Sequence, residues 1–309
     1  MLHIERAVIR AGDVAAIADC SFDAAPGEAW ALIGAGGCGK GLLVAAIAGA
    51  VPLAGGEIVV NGRSQRREPA MARRMCGYVP AALEGWPGIR ADEFLDLFAT
   101  AVGLSGKRLT EARTRALDLA GLSGDARLDT LPEATTKRLL LGRAVLHDPA
   151  ILALDDPFRG LDPRGRHLCE NLIEAAVLVE RTVVAALDDA IVPACFTHIA
   201  LLDGGRILAR GPAHPATFAP GRTWTWRVTV SRDAIAAREC LADRVPEAHL
   251  VDDHTVDCRI DPVLSPPAAL VTALVRAGIA VESAGFHPFW SAQLVRIAPR
   301  SPGARAEPR

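Results

Sequence analysis

Two short segments of this chain place reactive residues at spacings that suit phosphate chemistry. The first is Gly34, Ala35, Gly36, Gly37, Cys38, Gly39, Lys40, Gly41 and Leu42, which follows the apolar run 29–33 and opens the apolar stretch 42–48. Glycines at this density let successive backbone N–H groups close on phosphate oxygens, and a helix starting there adds partial positive charge. Lys40 then reaches the terminal phosphates. With 28 glycines and three lysines in 309 residues, Gly-x4-Gly-Lys arises by chance about 0.02 times in such a chain, so the spacing is informative. The second segment, Ile151-Leu-Ala-Leu-Asp155-Asp156-Pro157, ends an apolar strand in carboxylates. Asp155 at that place can hold Mg2+ through water. One residue departs from the pattern. The position after the lysine calls for a Ser or Thr hydroxyl on the metal, and here it is Gly41, so phosphate cradling is kept while metal placement is weakened.

These residues need a strand before the loop, a helix after it and a second strand alongside. Val8-Ile9, residues 14–18, 29–33, 56–61, 151–154, 182–187 and 199–202 read as strands, and 42–48 as a helix. Helical patterns over 92–102, 110–119 and about 135–146 fall in one block, 88–148, which reads as an inserted helical subdomain. Strands alternating with helices predict an α/β fold built on a mostly parallel sheet. Residues 212–220 read as a linker. Beyond it the order becomes strand 224–230, helix 234–241, strands either side of Asp252-Asp253, helix 268–277 and strand 280–283, a ferredoxin-like βαββαβ pattern closed by a helix near 291–297. The last ten residues, rich in Pro, Arg and Gly, read as a disordered tail.

Composition narrows the function further. Thirty-four basic residues stand against 36 acidic ones, a formal charge of -2, which argues against binding nucleic acid by bulk charge. Only Lys40, Lys107 and Lys137 are lysines, leaving 34 - 3 = 31 arginines. Seven cysteines form no CxxC pair, so neither a zinc site nor a secreted disulfide framework is expected. Charges within the first six residues stand where a signal peptide needs an apolar stretch, so none is expected, and the longest uncharged segment, 41–56, falls short of the ~20 residues a bilayer span needs. A cytosolic chain is expected.

Taken with its motif order, the chain resembles ATP-binding subunits of ABC transporters over roughly residues 2–215. Gly160-Leu161-Asp162-Pro163 resembles the D-loop, Arg138 to Pro149 the helix running on from the signature motif, and Gly77-Tyr78-Val79-Pro80 the strand entering the Q-loop. Residues 222–299, with Pro288 to Ile297, resemble the C-terminal accessory domain of ATPases of the ABC-2 export class. The resemblance implies a P-loop NTPase core of mixed sheet with a helical insertion (1–215), a small α+β ferredoxin-like domain (222–299) and a tail (300–309). It implies ATP and Mg2+ as ligands, a separate membrane permease, a second ATPase subunit, and a peripheral position on the inner face of the plasma membrane.

Against that pattern several positions differ. Asp156 stands for the glutamate that polarises water, Leu187-Asp188-Asp189 for the switch histidine, Ala81 for the Q-loop glutamine and Ala11 for the aromatic that stacks on adenine. The signature aligns with Leu131-Pro132-Glu133-Ala134-Thr135, where Pro132 has neither hydroxyl nor N–H and Glu133 brings negative charge towards a polyphosphate. Family members pair head to tail, so each ATP lies between one chain's P-loop and the other's signature. The expectation is an ATP-binding export subunit whose own turnover is slow or dependent on its partner. A non-catalytic regulatory or structural subunit is the alternative, and a soluble ATPase acting on ribosomes or DNA a more distant third.

Overall fold

In a computed structural model the described residues are 1–12, 14–83, 85–188, 192–213, 224–260 and 267–286. They fall into two compact units that divide between Ala209 and Arg210. The expected final helix (291–297), tail (300–309), Asp189 and most of the expected linker lie outside the described residues.

The first unit holds two sheets. One runs in the order β2 (Val14–Ala24), β1 (Leu2–Ala11), β4 (Gly55–Val60), β5 (Arg63–Ser64), with antiparallel pairing throughout. The other runs β10 (Arg206–Pro212), β9 (His198–Asp203), β3 (Ala29–Gly34), β8 (Thr182–Ala186), β7 (Ile151–Asp155), β6 (Cys76–Val79), and from β9 to β6 every pairing is parallel. Central strands of a parallel sheet are covered on both faces. β3, β7 and β8 fit that rule, since they read as near-continuous apolar runs and are buried almost throughout. Helix α1 (Lys40–Ile47) packs on strands of both sheets, and its Leu43, Val44 and Ile47 join Ile4, Ile17, Phe22, Leu32, Ile151 and Val184 in one core. Each such side chain, fully buried, contributes about 1.5–3 kcal/mol.

A short helix α2 (Pro69–Arg74) precedes β6. The helical block then follows as α3 (Ala91–Ala101), α4 (Gly106–Ala120) and α5 (Glu133–Ala144), within a residue or two of expectation except for the longer start of α4. Small residues set its packing. Ala112, Ala116 and Ala120 form the buried face of α4, and a Cβ built on Gly142 of α5 would lie 2.8 Å from Ala116 O, so these helices meet almost backbone to backbone. Phe94 and Phe98 of α3 pack on each other and on Trp86.

Several elements exceed the sequence reading. β1 and β2 are a long hairpin where only short apolar runs were expected, because their remaining positions alternate in exposure. Helix α6 (Pro163–Leu178) was not anticipated as a helix. Asp162 caps it by accepting from Gly165 N–H, Pro163 takes its first position, and Gly165, Cys169, Ile173 and Ala176 form its buried stripe. Strand β10, which was not read as a strand from the sequence, extends the sheet beyond the turn at Gly204-Gly205.

The second unit has the anticipated element order: β11 (Trp224–Val230), α7 (Ala234–Ala242), β12 (Ala248–Leu250), β13 (Thr255–Ile260), α8 (Pro267–Arg276), β14 (Val281–Phe286). Its sheet runs β12-β13-β11-β14, all antiparallel, which is the ferredoxin-like arrangement. Trp226, Val228 and Val230 point to one face and pack with Leu241, Val256, Ile260, Leu270 and Leu274. All seven cysteines are free thiols.

Candidate functional site

The site grows from the carboxyl end of the parallel sheet. β3 delivers Gly34, and the loop to Gly39 ends with Gly39 as the N-cap of α1 at φ 97, a left-handed conformation that favours glycine. A Cβ at Gly39 would also fall 2.6 Å from Ile17 Cδ1. Helix α1 carries no acidic residue of its own in its first turn, so its N-terminal dipole faces the loop.

Lys40 is only 4% exposed, and its ammonium folds back over the loop. Nζ donates to Gly34 O at 3.0 Å and to Ala35 O at 3.2 Å, and lies 3.9 Å from Cys38 Sγ. Burial raises the Cys38 thiol despite the nearby ammonium, so Cys38 is a neutral filler at ordinary pH. On its remaining side Lys40 Nζ is 3.7 Å from Asp188 Oδ1.

Asp155 ends β7, paired in register with Ala186 of β8. Because α1 packs on β7, the Asp155 carboxylate abuts Gly41: a Cβ built on Gly41 would lie 2.8 Å from Oδ2 and 2.9 Å from Oδ1. Asp156 adopts a left-handed backbone, φ 45, and its N–H donates to Ala186 O at 3.0 Å. Burial first, then the neighbouring carboxylates, holds both acids above the usual carboxylate range, and the Lys137 ammonium opposes this at each.

Lys137 was singled out in the sequence only as one of three lysines, yet it ties the site together. It is 3% exposed on α5 and donates to Pro80 O at 3.3 Å, Ala81 O at 2.7 Å and Asp156 O at 3.2 Å. Thus Ala81 meets the site through its carbonyl. Near the start of α5, Pro132 is the N-cap and Glu133 packs against Gly160, where an added Cβ would sit 2.6 Å from Glu133 Cδ. Ala11 closes β1 and presents only a methyl group.

For Mg2+ the chain offers the Asp155 carboxylate and no hydroxyl at position 41, and no group of three or more His, Cys, Asp or Glu ligands occurs among the described residues. A carboxylate raised by burial next to a phosphate loop fits a cation held by one protein ligand, phosphates and waters, the usual manner of Mg2+.

The loop, Lys40 and Asp155 are thus assembled as a P-loop requires, and the family model of the ABC transporter matches residues 17–159. Residues 17–159 are an ABC transporter ATP-binding domain. The "Nod factor export ATP-binding protein I" of Rhizobium etli is 29% identical over 208 residues, 66% of this chain and 65% of that protein, so the match spans less than two thirds of that relative. The "Linearmycin resistance ATP-binding protein LnrL" of Bacillus subtilis is 25% identical over 281 residues, 89% of each chain. Among solved structures, an ATP-binding subunit of an ABC transporter aligns at TM-score 0.62 and 24% identity, covering 69% of this chain and 90% of that one. A dimeric ATP-binding cassette holding ADP and phosphate aligns at TM-score 0.63 and 20% identity, covering 69% and 99%. These structures share the ABC domain's fold.

Proposed function

We propose that this chain is the ATP-binding subunit of an ABC export complex, that it binds nucleotide at Gly34–Leu42, and that its own hydrolysis is slow or partner-dependent. The observation that carries the reading is Lys40, buried and folded over a glycine loop at a helix N-terminus, with Asp155 beside it. The loop's N–H groups and Lys40 cradle the phosphates. Asp155 holds Mg2+, which when bound shields phosphate charge, and Asp156 faces the water. The names of the export and resistance relatives support an export role.

Slow turnover follows from the chain's own groups. Asp156 is a short base, and its raised pKa means burial already opposes its ionised form. Pro132 and Glu133 give a partner's phosphate neither hydroxyl nor attraction. A head-to-tail pair of this chain then lacks one complete site, which supports pairing with a second ATPase subunit and, failing that, a non-catalytic regulatory role. No described helix is long and apolar enough to cross a membrane, so the pathway is assigned to a separate permease. A cleft of about 630 Å³ between the helical block and the α2–β6 segment, lined by Arg73, Tyr78, Phe98, Val102, Arg143 and His147, supports docking there.

Phosphate release by the purified chain tests the hydrolytic part of this reading. The expected rate is far below the median of enzymes, on the order of 10 per second. A rate near that median contradicts it.

A further inference from the structure

We propose that Asp188 makes this site discriminate against the terminal phosphate of a nucleoside triphosphate, so that the chain prefers a nucleoside diphosphate. The inference rests on the nucleotide-binding reading above and concerns which nucleotide state the site holds.

The Lys40 ammonium is held from one side by two carbonyls, Gly34 O at 3.0 Å and Ala35 O at 3.2 Å. Its remaining side faces Asp188 Oδ1 at 3.7 Å. Asp188 follows β8 by two residues, and Ala186 at the end of that strand accepts from Asp156 N–H at 3.0 Å, which places Asp188 beside the loop even though its side chain is 68% exposed. The carboxylate therefore stands where an incoming anion must meet the lysine.

Asp188 does not act alone. Its charge bears on both Asp155 and Asp156, the carboxylates at and just after the end of β7. Two cations face them, Lys40 and Lys137, and the Lys137 ammonium is turned onto three carbonyls. A terminal phosphate must displace Asp188 from Lys40 or lie against it, and like charges at such range repel strongly in a partly buried site. A diphosphate held on the loop's N–H groups carries less charge into that end and meets less of this opposition. Asp188 is thus a specificity-determining residue whose carboxylate weakens triphosphate binding selectively.

Titration calorimetry of the full chain with ADP and with ATP, at equal free Mg2+, tests this in wild type, Asp188→Asn and Lys40→Ala. Wild type is expected to bind ADP about tenfold more tightly than ATP, about 1.4 kcal/mol. Asp188→Asn, close in size and checked for folding by circular dichroism, is expected to raise ATP affinity to near parity while ADP affinity changes less than about twofold. Equal affinities in wild type, or a preference unchanged in Asp188→Asn, overturn the inference while leaving nucleotide binding standing. Absence of binding by wild type and Asp188→Asn alike overturns the nucleotide reading and this inference with it. Lys40→Ala separates the two, because only the nucleotide reading requires it to lose both ligands.

Discussion

The carboxylate of Asp155 occupies the space that a side chain at position 41 would need. A Cβ on Gly41 would meet Oδ2 at 2.8 Å and Oδ1 at 2.9 Å, closer than such atoms approach. Gly41 is therefore more than a missing hydroxyl, because the metal-side carboxylate lies in the gap it leaves. Gly41→Ser is expected to lower the melting temperature at a cost of about 1–3 kcal/mol, since Asp155 must turn away. In a double-mutant cycle with Asp155→Ala that cost should largely disappear, giving a coupling of about 1 kcal/mol or more. Additive effects would show that the two positions do not compete for space.

Asp155 also fixes the sign of a pH effect. Its pKa is raised from 3.8, first by burial and then by Asp156 and Asp188. The folded chain thus holds this proton more tightly than the unfolded chain, and stability falls as pH climbs above the ordinary value, with the cost still present at neutrality. Asp155→Asn removes the charge and should melt above wild type at pH 7. The advantage should shrink as pH is taken below about 4, where both states protonate. A lower melting temperature than wild type at pH 7 contradicts this.

Lys137 gives the largest effect at a single side chain. Its ammonium serves the carbonyls of Pro80, Ala81 and Asp156 and sits near the ionised pair at the end of β7. Lys137→Met keeps the bulk but leaves those acceptors without their donor and removes a cation from near both carboxylates, at a cost of about 3 kcal/mol. Urea denaturation reads this directly, and a loss below about 1 kcal/mol would mean that water replaces the ammonium at little cost.

Gly77 tests how the helical block is seated on the sheet. A Cβ there would fall 2.1 Å from Ala144 O and 2.9 Å from Leu152 Cδ2 and Pro149 Cγ. Gly77→Ala must push α5 off β6, and a destabilisation of about 2–3 kcal/mol is expected in chemical unfolding. Wild-type stability would show that the contact is looser than the backbone spacing implies.

How far the sequence disclosed this molecule differed by element. The phosphate loop and the strand to Asp155 were readable because local rules determine them: glycine spacing, apolar runs and a helix start lie within one stretch of chain. The βαββαβ order was readable for the same reason. Helix α6 was overlooked although Asp162-Pro163 is a start signal, because its buried stripe, Gly165, Cys169, Ile173 and Ala176, carries small residues rather than large apolar ones. Lys137 and the Lys40–Asp188 contact were hidden for another reason. They depend on packing between segments distant in the chain, which no periodicity encodes.

Calorimetric titration of Mg-ATP into the wild-type chain and Lys40→Ala tests the central claim most directly. The account predicts saturable binding by wild type that is lost or reduced at least about a hundredfold, near 2.7 kcal/mol, in the variant. Wild-type binding that survives Lys40→Ala unchanged, or no binding by a folded wild type, would contradict it.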